Sequence, residues 1–195
     1  MVRANEDIAR KVADVARLLY VRGLVQVKGG NVSFYDRPEG LLYITPTGVP
    51  RHTIREDDIA IMKIDGTVLV GTPSSEYRLH LSIYRSIEEA VAVVHAHPAD
   101  VIALYEAGLR ISADIMTEAS IRVGCVTDVP PLTPGSEELA SATAEALKAS
   151  GCRAAVLKRH GVVTYSTRDV YEALDAAEAL ADAARVILFS RLIGS

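Results

Sequence analysis

The chain predicts a layered α/β domain, in which a central, mostly antiparallel sheet is covered by helices on its faces. Three observations carry that expectation. Strand-like runs come in hairpin pairs around polar turns, not singly between helices as a doubly wound parallel sheet requires. Stretches with helical spacing or composition separate these pairs. Finally, 195 residues with 49% hydrophobic and 24% charged content supply one substantial core and are too few for two, so residues 1–195 read as a single domain.

Taken in order, Asn5 before Glu6 and Asp7 is a helix cap, and Ile8, Val12, Val15 and Leu19 then recur at helical spacing up to Gly23. Residues 24–35 form a strand-like run interrupted by Gly29 and Gly30, where backbone can approach a ligand such as an anion. Leu41–Ile44 returns as a second strand, and Thr45-Pro46-Thr47-Gly48 is a tight turn rich in donors. Residues 57–70 form a hairpin around Asp65-Gly66. Thr72-Pro73-Ser74-Ser75-Glu76 opens a helix whose apolar side is Leu79, Ile83 and Ile87. A strand over 91–97 and a short helix over 99–108 follow, whereas residues 111–128 carry no clear periodicity. After the loop 130–135, Ser136 caps a helix over 137–149. Residues 154–160 and 162–165 form a last hairpin, and an Ala-rich helix runs from Thr167 to about Leu192.

Composition narrows the function. A net charge of −4, with no run of Lys or Arg longer than two residues, gives no electrostatic footprint for nucleic acid. The N-terminus does not read as a secretory leader and no apolar run is long enough to span a bilayer, so a soluble cytoplasmic protein is expected. In that setting Cys125 and Cys152, far apart in sequence, are expected as buried thiols and not as a bridge.

The chemistry concentrates at Val94-His95-Ala96-His97. Residues i and i+2 of an extended chain share a face, so the two imidazoles can converge on one cation, with Pro98 ending the strand. Zinc is the default ion for neutral imidazoles, and a catalytic site needs a third ligand. His52, His80 and His160 are available, and His160, closing another short apolar run, is the best placed. Glu76 offers a carboxylate that can act as a base near the metal. His80, four residues on, shares its helical face and has a structural role or orients Glu76, while His52 is a surface residue. The turns Gly30-Asn31, Thr47-Gly48 and Ser74-Ser75 share backbone amides, hydroxyls and a helix start with little bulk, a chemistry suited to phosphate. Zinc beside an α-hydroxy ketone polarises the carbonyl and stabilises the enediolate formed when a carboxylate takes the neighbouring proton, which makes or breaks carbon–carbon bonds.

Gly30-Asn31-Val32-Ser33, Ile44-Thr45-Pro46-Thr47-Gly48, Ser74-Ser75-Glu76, Val94-His95-Ala96-His97 and Arg159-His160-Gly161, in this order, resemble the class II zinc-dependent sugar-phosphate aldolases typified by L-fuculose-1-phosphate aldolase. The resemblance spans nearly the whole chain. It implies cleavage of a ketose 1-phosphate, such as L-fuculose 1-phosphate, into dihydroxyacetone phosphate and a small aldehyde. It assigns His95, His97 and His160 to one zinc per subunit, for which cobalt or manganese can substitute, with Glu76 as fourth ligand and then proton carrier. Gly30, Asn31, Thr47, Gly48, Ser74 and Ser75 match the phosphate-binding set. A homotetramer with active sites between subunits is implied, binding a small sugar phosphate and neither nucleic acid nor membrane. The family places a tyrosine from a neighbouring subunit near the aldehyde oxygen, but residues 111–119 contain none; Asp114 and Glu118 are the only ionisable side chains there, and Glu118, ahead of Asp114 or a bound water, is the replacement expected. Pentulose-5-phosphate 4-epimerases and methylthioribulose-1-phosphate dehydratases share the superfamily and remain alternatives, as does a noncatalytic adducin-like assembly module, against which the intact histidine set argues.

Overall fold

The structure, a computed structural model, describes residues 5–194. Its elements in chain order are α1 (Glu6–Val21), β1 (Asn31–Asp36), β2 (Leu41–Ile44), β3 (Ala60–Lys63), β4 (Val68–Val70), α2 (Tyr77–Ser86), β5 (Ala92–Ala96), α3 (Ala99–Glu106), α4 (Thr117–Arg122), β6 (Val126–Val129), α5 (Glu137–Ser150), β7 (Ala154–Leu157), β8 (Gly161–Ser166) and α6 (Val170–Ile193). The eight strands form one sheet in the order β4-β3-β2-β1-β5-β8-β7-β6. Every pairing is antiparallel except β6 with β7 at one edge.

Pleat alternation sorts the core onto two faces. Ala92, Val94 and Ala96 of β5 pack with apolar residues of α1, α3, α4 and α6, whereas Val93 packs with those of α2 and α5. Along α6 the buried positions Ala173, Ala177, Ala181 and Ala184 are all alanine, whose small side chains let the helix lie close on the sheet. The same alternation puts His95 on the face of Val93, toward α2.

Three sequence expectations are corrected, and the stretch without clear periodicity gains its elements. The strand predicted over 24–35 begins only at Asn31, because Gly30 has φ +63° and turns the chain into β1. The helix expected to open at Ser74 starts at Tyr77, with Glu76 at the N-cap position, because Ser74 and Pro73 are held in an extended contact with the 45–46 turn. Residues 111–128 contain α4 and β6, short elements ordered by packing on α6 and by pairing with β7.

Cys125 and Cys152, finally, form a disulfide. They immediately precede the parallel register Val126↔Ala154, which brings their Cα atoms to 5.2 Å, within bonding reach. Closing a segment of 27 residues restricts the unfolded chain, so reduction should lower the unfolding free energy by about 3 kcal/mol. Denaturant midpoints with and without a phosphine reductant measure this; coincident midpoints would show that the bond contributes nothing.

Candidate active site

His95 is the last residue but one of β5 in the middle of the sheet, His97 follows just past the strand, and His160 sits in the tight turn from β7 to β8. Pairing of β5 with β8, His95 opposite Val163, brings this turn alongside the histidine pair. The approach demands glycine at 161, where a Cβ would lie 2.1 Å from the Ala96 carbonyl oxygen.

The three Nε2 atoms converge. His95 Nε2 lies 2.9 Å from His97 Nε2 and 3.2 Å from His160 Nε2. Glu76 closes the cluster, with Oε2 3.2 Å from His95 Nε2 and Oε1 3.5 Å from His160 Nε2. Tautomers follow from the outer nitrogens. His95 Nδ1 donates to the Val162 carbonyl at 2.9 Å and His97 Nδ1 to Gln26 Oε1 at 3.2 Å, which leaves both Nε2 lone pairs facing inward. Facing lone pairs at such separations repel unless a cation lies between them. The edge of a tetrahedron with metal–nitrogen bonds of 2.0–2.1 Å is about 3.3 Å, so these separations fit a four-ligand divalent site. A further sign is that Glu76 Oε1, though buried, has no hydrogen-bond partner among the described residues.

Electrostatics agree with neutral ligands. Burial first, then the nearby His95, pushes the His97 imidazole down to about 3 and His160 to about 4. Burial of Glu76 alone would raise its carboxyl. His95 by hydrogen bond and charge, and His160 by charge, would pull it down only when protonated; with neutral imidazoles the Asn31 hydrogen bond is what favours the carboxylate.

Behind Glu76 runs a buried hydrogen-bond chain that the sequence did not reveal. Asn31 Nδ2 donates to Glu76 Oε2 at 3.0 Å. The Asn31 Oδ1 must then accept, and its partner is His80 Nε2. His80 Nδ1 is therefore the unprotonated nitrogen and accepts from Ser33 Oγ at 2.6 Å. With its proton committed, Ser33 Oγ accepts from the Tyr84 hydroxyl, 2.7 Å away. His80 is fully buried and burial pushes it down to about 3, so the chain holds one neutral tautomer at physiological pH. His80 thus reaches Glu76 through Asn31, and its i+4 spacing from Glu76 was the one trace of this in the sequence.

The predicted phosphate turns are laced together. Thr47 N–H donates to Thr72 O, Ser74 N–H to Thr45 O, and Val32 N–H to Thr45 Oγ1. Thr47, Gly48 and Ser75 remain exposed while Gly30 and Ser74 are buried beside them. The Asn31 carboxamide is engaged by Glu76 and His80, and its backbone pairs with β5 opposite His95, so what it has left for a phosphate is the second Nδ2 hydrogen. Gly30 is required where it is, because a Cβ there would meet Val25 at 2.5 Å and His95 O at 2.7 Å.

Glu118 stands apart from the site, and His52 lies on the surface as expected. Glu118 is exposed on α4 and does not join the His/Glu cluster within one chain. His52 is an exposed residue whose ring lies 5.2 Å from that of Tyr20. Arg51, unremarked in the sequence, is buried next to the 29–30 and 46–49 turns.

With this geometry in view, comparisons with known proteins are informative. The sequence profile of the family described as class II aldolase and adducin N-terminal domain matches residues 10–188. An L-fuculose phosphate aldolase of Methanococcus maripaludis is 35% identical over 172 residues, covering 88% of this chain and 91% of its own. An L-ribulose-5-phosphate 4-epimerase of Salmonella paratyphi B is 36% identical over 135 residues, covering 68% of this chain and 58% of its own. Among solved structures, the L-fuculose-1-phosphate aldolase from Thermus thermophilus superposes with a TM-score of 0.85 at 27% identity, covering 97% of each chain.

Proposed function

The chain belongs to the class II aldolase and adducin N-terminal domain family, and from that premise we propose that it is a divalent-metal lyase cleaving a ketose 1-phosphate into dihydroxyacetone phosphate and a small aldehyde. The observation that carries this reading is the convergence of Glu76, His95, His97 and His160 on one point. An assembly module has no use for three inward-facing imidazole lone pairs and an unpartnered buried carboxylate oxygen.

A cation held by the three imidazoles supplies Lewis-acid polarisation of the substrate carbonyl, and zinc is the ion we assign. The protein's own groups do the rest. In the synthetic direction the Glu76 carboxylate takes the proton from the carbon that becomes the nucleophile. In cleavage Glu76, protonated from solvent, gives a proton to the carbon that the departing aldehyde leaves behind, and Glu118 returns the hydroxyl proton to solvent, so the two balance. Asn31 fixes one oxygen of that carboxylate and leaves the other free to point at substrate. The amides and hydroxyls at Gly30, Asn31, Thr47, Gly48, Ser74 and Ser75 hold the phosphate. The proton of the hydroxyl that becomes the aldehyde goes to Glu118 of a neighbouring chain. The cytoplasmic homotetramer this requires rests on the family resemblance.

A 4-epimerase reading is favoured by the Salmonella relative, an L-ribulose-5-phosphate 4-epimerase. One experiment separates the two: a panel of ketose 1-phosphates and ketopentose 5-phosphates incubated with the protein, with and without a chelator, while dihydroxyacetone phosphate and isomerised sugar are both followed. Chelator-sensitive release of dihydroxyacetone phosphate is expected. Isomerised product without release would keep the metal site and replace the reaction.

A further inference from the structure

The proposed phosphate subsite contains no charged side chain of its own, since Gly30, Asn31, Thr47, Gly48, Ser74 and Ser75 are all neutral. A phosphomonoester brings close to two negative charges. The nearest buried cation is Arg51, only 2% exposed. Its Nε donates to Gly29 O and Gly30 O at 3.1 and 3.3 Å, its Nη1 to Pro46 O and Val49 O at 3.3 and 3.0 Å, and its Nη2 to Gly30 O at 2.9 Å. Every one of these acceptors is a backbone carbonyl, and no carboxylate pairs with the guanidinium among the described residues.

An unpaired buried charge is costly to keep and is tolerated where a partner arrives from outside. Burial pushes Arg51 down only to about 10, so it remains a cation at working pH. The carbonyls it holds also aim the amides of the same peptides. All peptide bonds here are trans, and a trans peptide points its N–H opposite its C=O. Anchoring Gly29 O on the guanidinium therefore turns the Gly30 N–H away from it, while the Asn31 N–H faces β5 opposite His95.

We propose that Arg51 is the fixed counter-cation of the phosphate subsite, a positioning residue that acts through the 29–31 and 46–49 backbone and selects a doubly charged phosphomonoester over an uncharged sugar. This rests on the phosphate reading above. The charge acts across the peptides it grips, so it need not touch the ligand.

The test uses metal-loaded full chain and inorganic phosphate as probe, followed by calorimetry, for the wild type, Arg51→Lys and Arg51→Met. The expected result is binding by the wild type, retention within about threefold in Arg51→Lys, and weakening of about tenfold or more in Arg51→Met, the scale of one unit charge a few ångströms away at an intermediate dielectric. KM for the phosphorylated substrate rises by the same factor in Arg51→Met while kcat changes less. Arg51→Gln, which can still donate to carbonyls, replaces Arg51→Met if that chain does not fold. Undiminished binding in the neutral variant overturns the proposal, as does a Lys variant that folds yet loses as much as the neutral one, which marks a mere staple. Failure of the wild type to bind phosphate overturns the underlying subsite reading and this proposal with it.

Discussion

Replacing Glu76 by Gln should lower the rate of dihydroxyacetone phosphate release by about 10²–10⁴-fold, the usual contribution of a positioned acid–base group. The substitution preserves size and the hydrogen bond to Asn31, because the Gln amide oxygen can still accept from Asn31 Nδ2. It removes only the ability to carry a proton and the negative charge. Three histidines remain, the number a catalytic zinc site usually takes from protein, so metal measured on the purified variant should stay well above trace. The two readouts together decide the role. A large loss of rate with metal retained supports proton transfer. A loss of less than about tenfold with full metal would remove Glu76 from the chemistry.

The metal-free protein should lose stability steeply as pH falls from about 6.5 toward 4. His80, His97 and His160 are all depressed in the fold, to about 3, 3 and 4, chiefly by burial. A depressed histidine is neutral in the native state while the unfolded chain takes up a proton below about 6.5, so the unfolded state binds more protons throughout this window. Stability therefore rises with pH across it and is fully present above the unfolded value. Each such histidine contributes a slope of up to about 1.4 kcal/mol per pH unit, and together they make a loss of up to about 8 kcal/mol by pH 4.5. Glu76, depressed in the opposite chemical sense, adds its own loss only below its unfolded value near 4.5. Urea midpoints between about pH 7.5 and 4.5 on chelator-treated protein provide the measurement, and His80→Gln should flatten part of the slope. A pH-independent midpoint over that range would mean that the cluster opens to water and titrates normally.

How far the sequence could be read depended on how local the determining physics is. The hairpins 41–44 with 31–36 and 60–63 with 68–70 were legible because turn chemistry and period-two alternation lie within a dozen residues. His95 and His97 were legible for the same reason, since a shared strand face needs only an i, i+2 spacing. α4 and β6 were not, because six and four residues have little intrinsic preference and are ordered by α6 and β7, far along the chain. The disulfide was missed with them, since it depends on the parallel register of β6 on β7. Asn31 shows a different limit. Its place in the site was foreseen, yet whether its backbone or its carboxamide does the work is set by Glu76 and His80, 45 and 49 residues away. Arg51 shows the extreme case, because nothing in a loop sequence says that an arginine will be buried.

The bridge between Cys125 and Cys152 brackets a segment that holds β6, the 130–135 loop and α5. That loop reaches the site: a Cβ on Gly135 would lie 3.1 Å from Ser75 O. A protease that nicked the chain anywhere inside the bracket would leave both pieces tethered, so the loop beside the catalytic groups can be severed without the polypeptide coming apart. Only reduction would release the fragments.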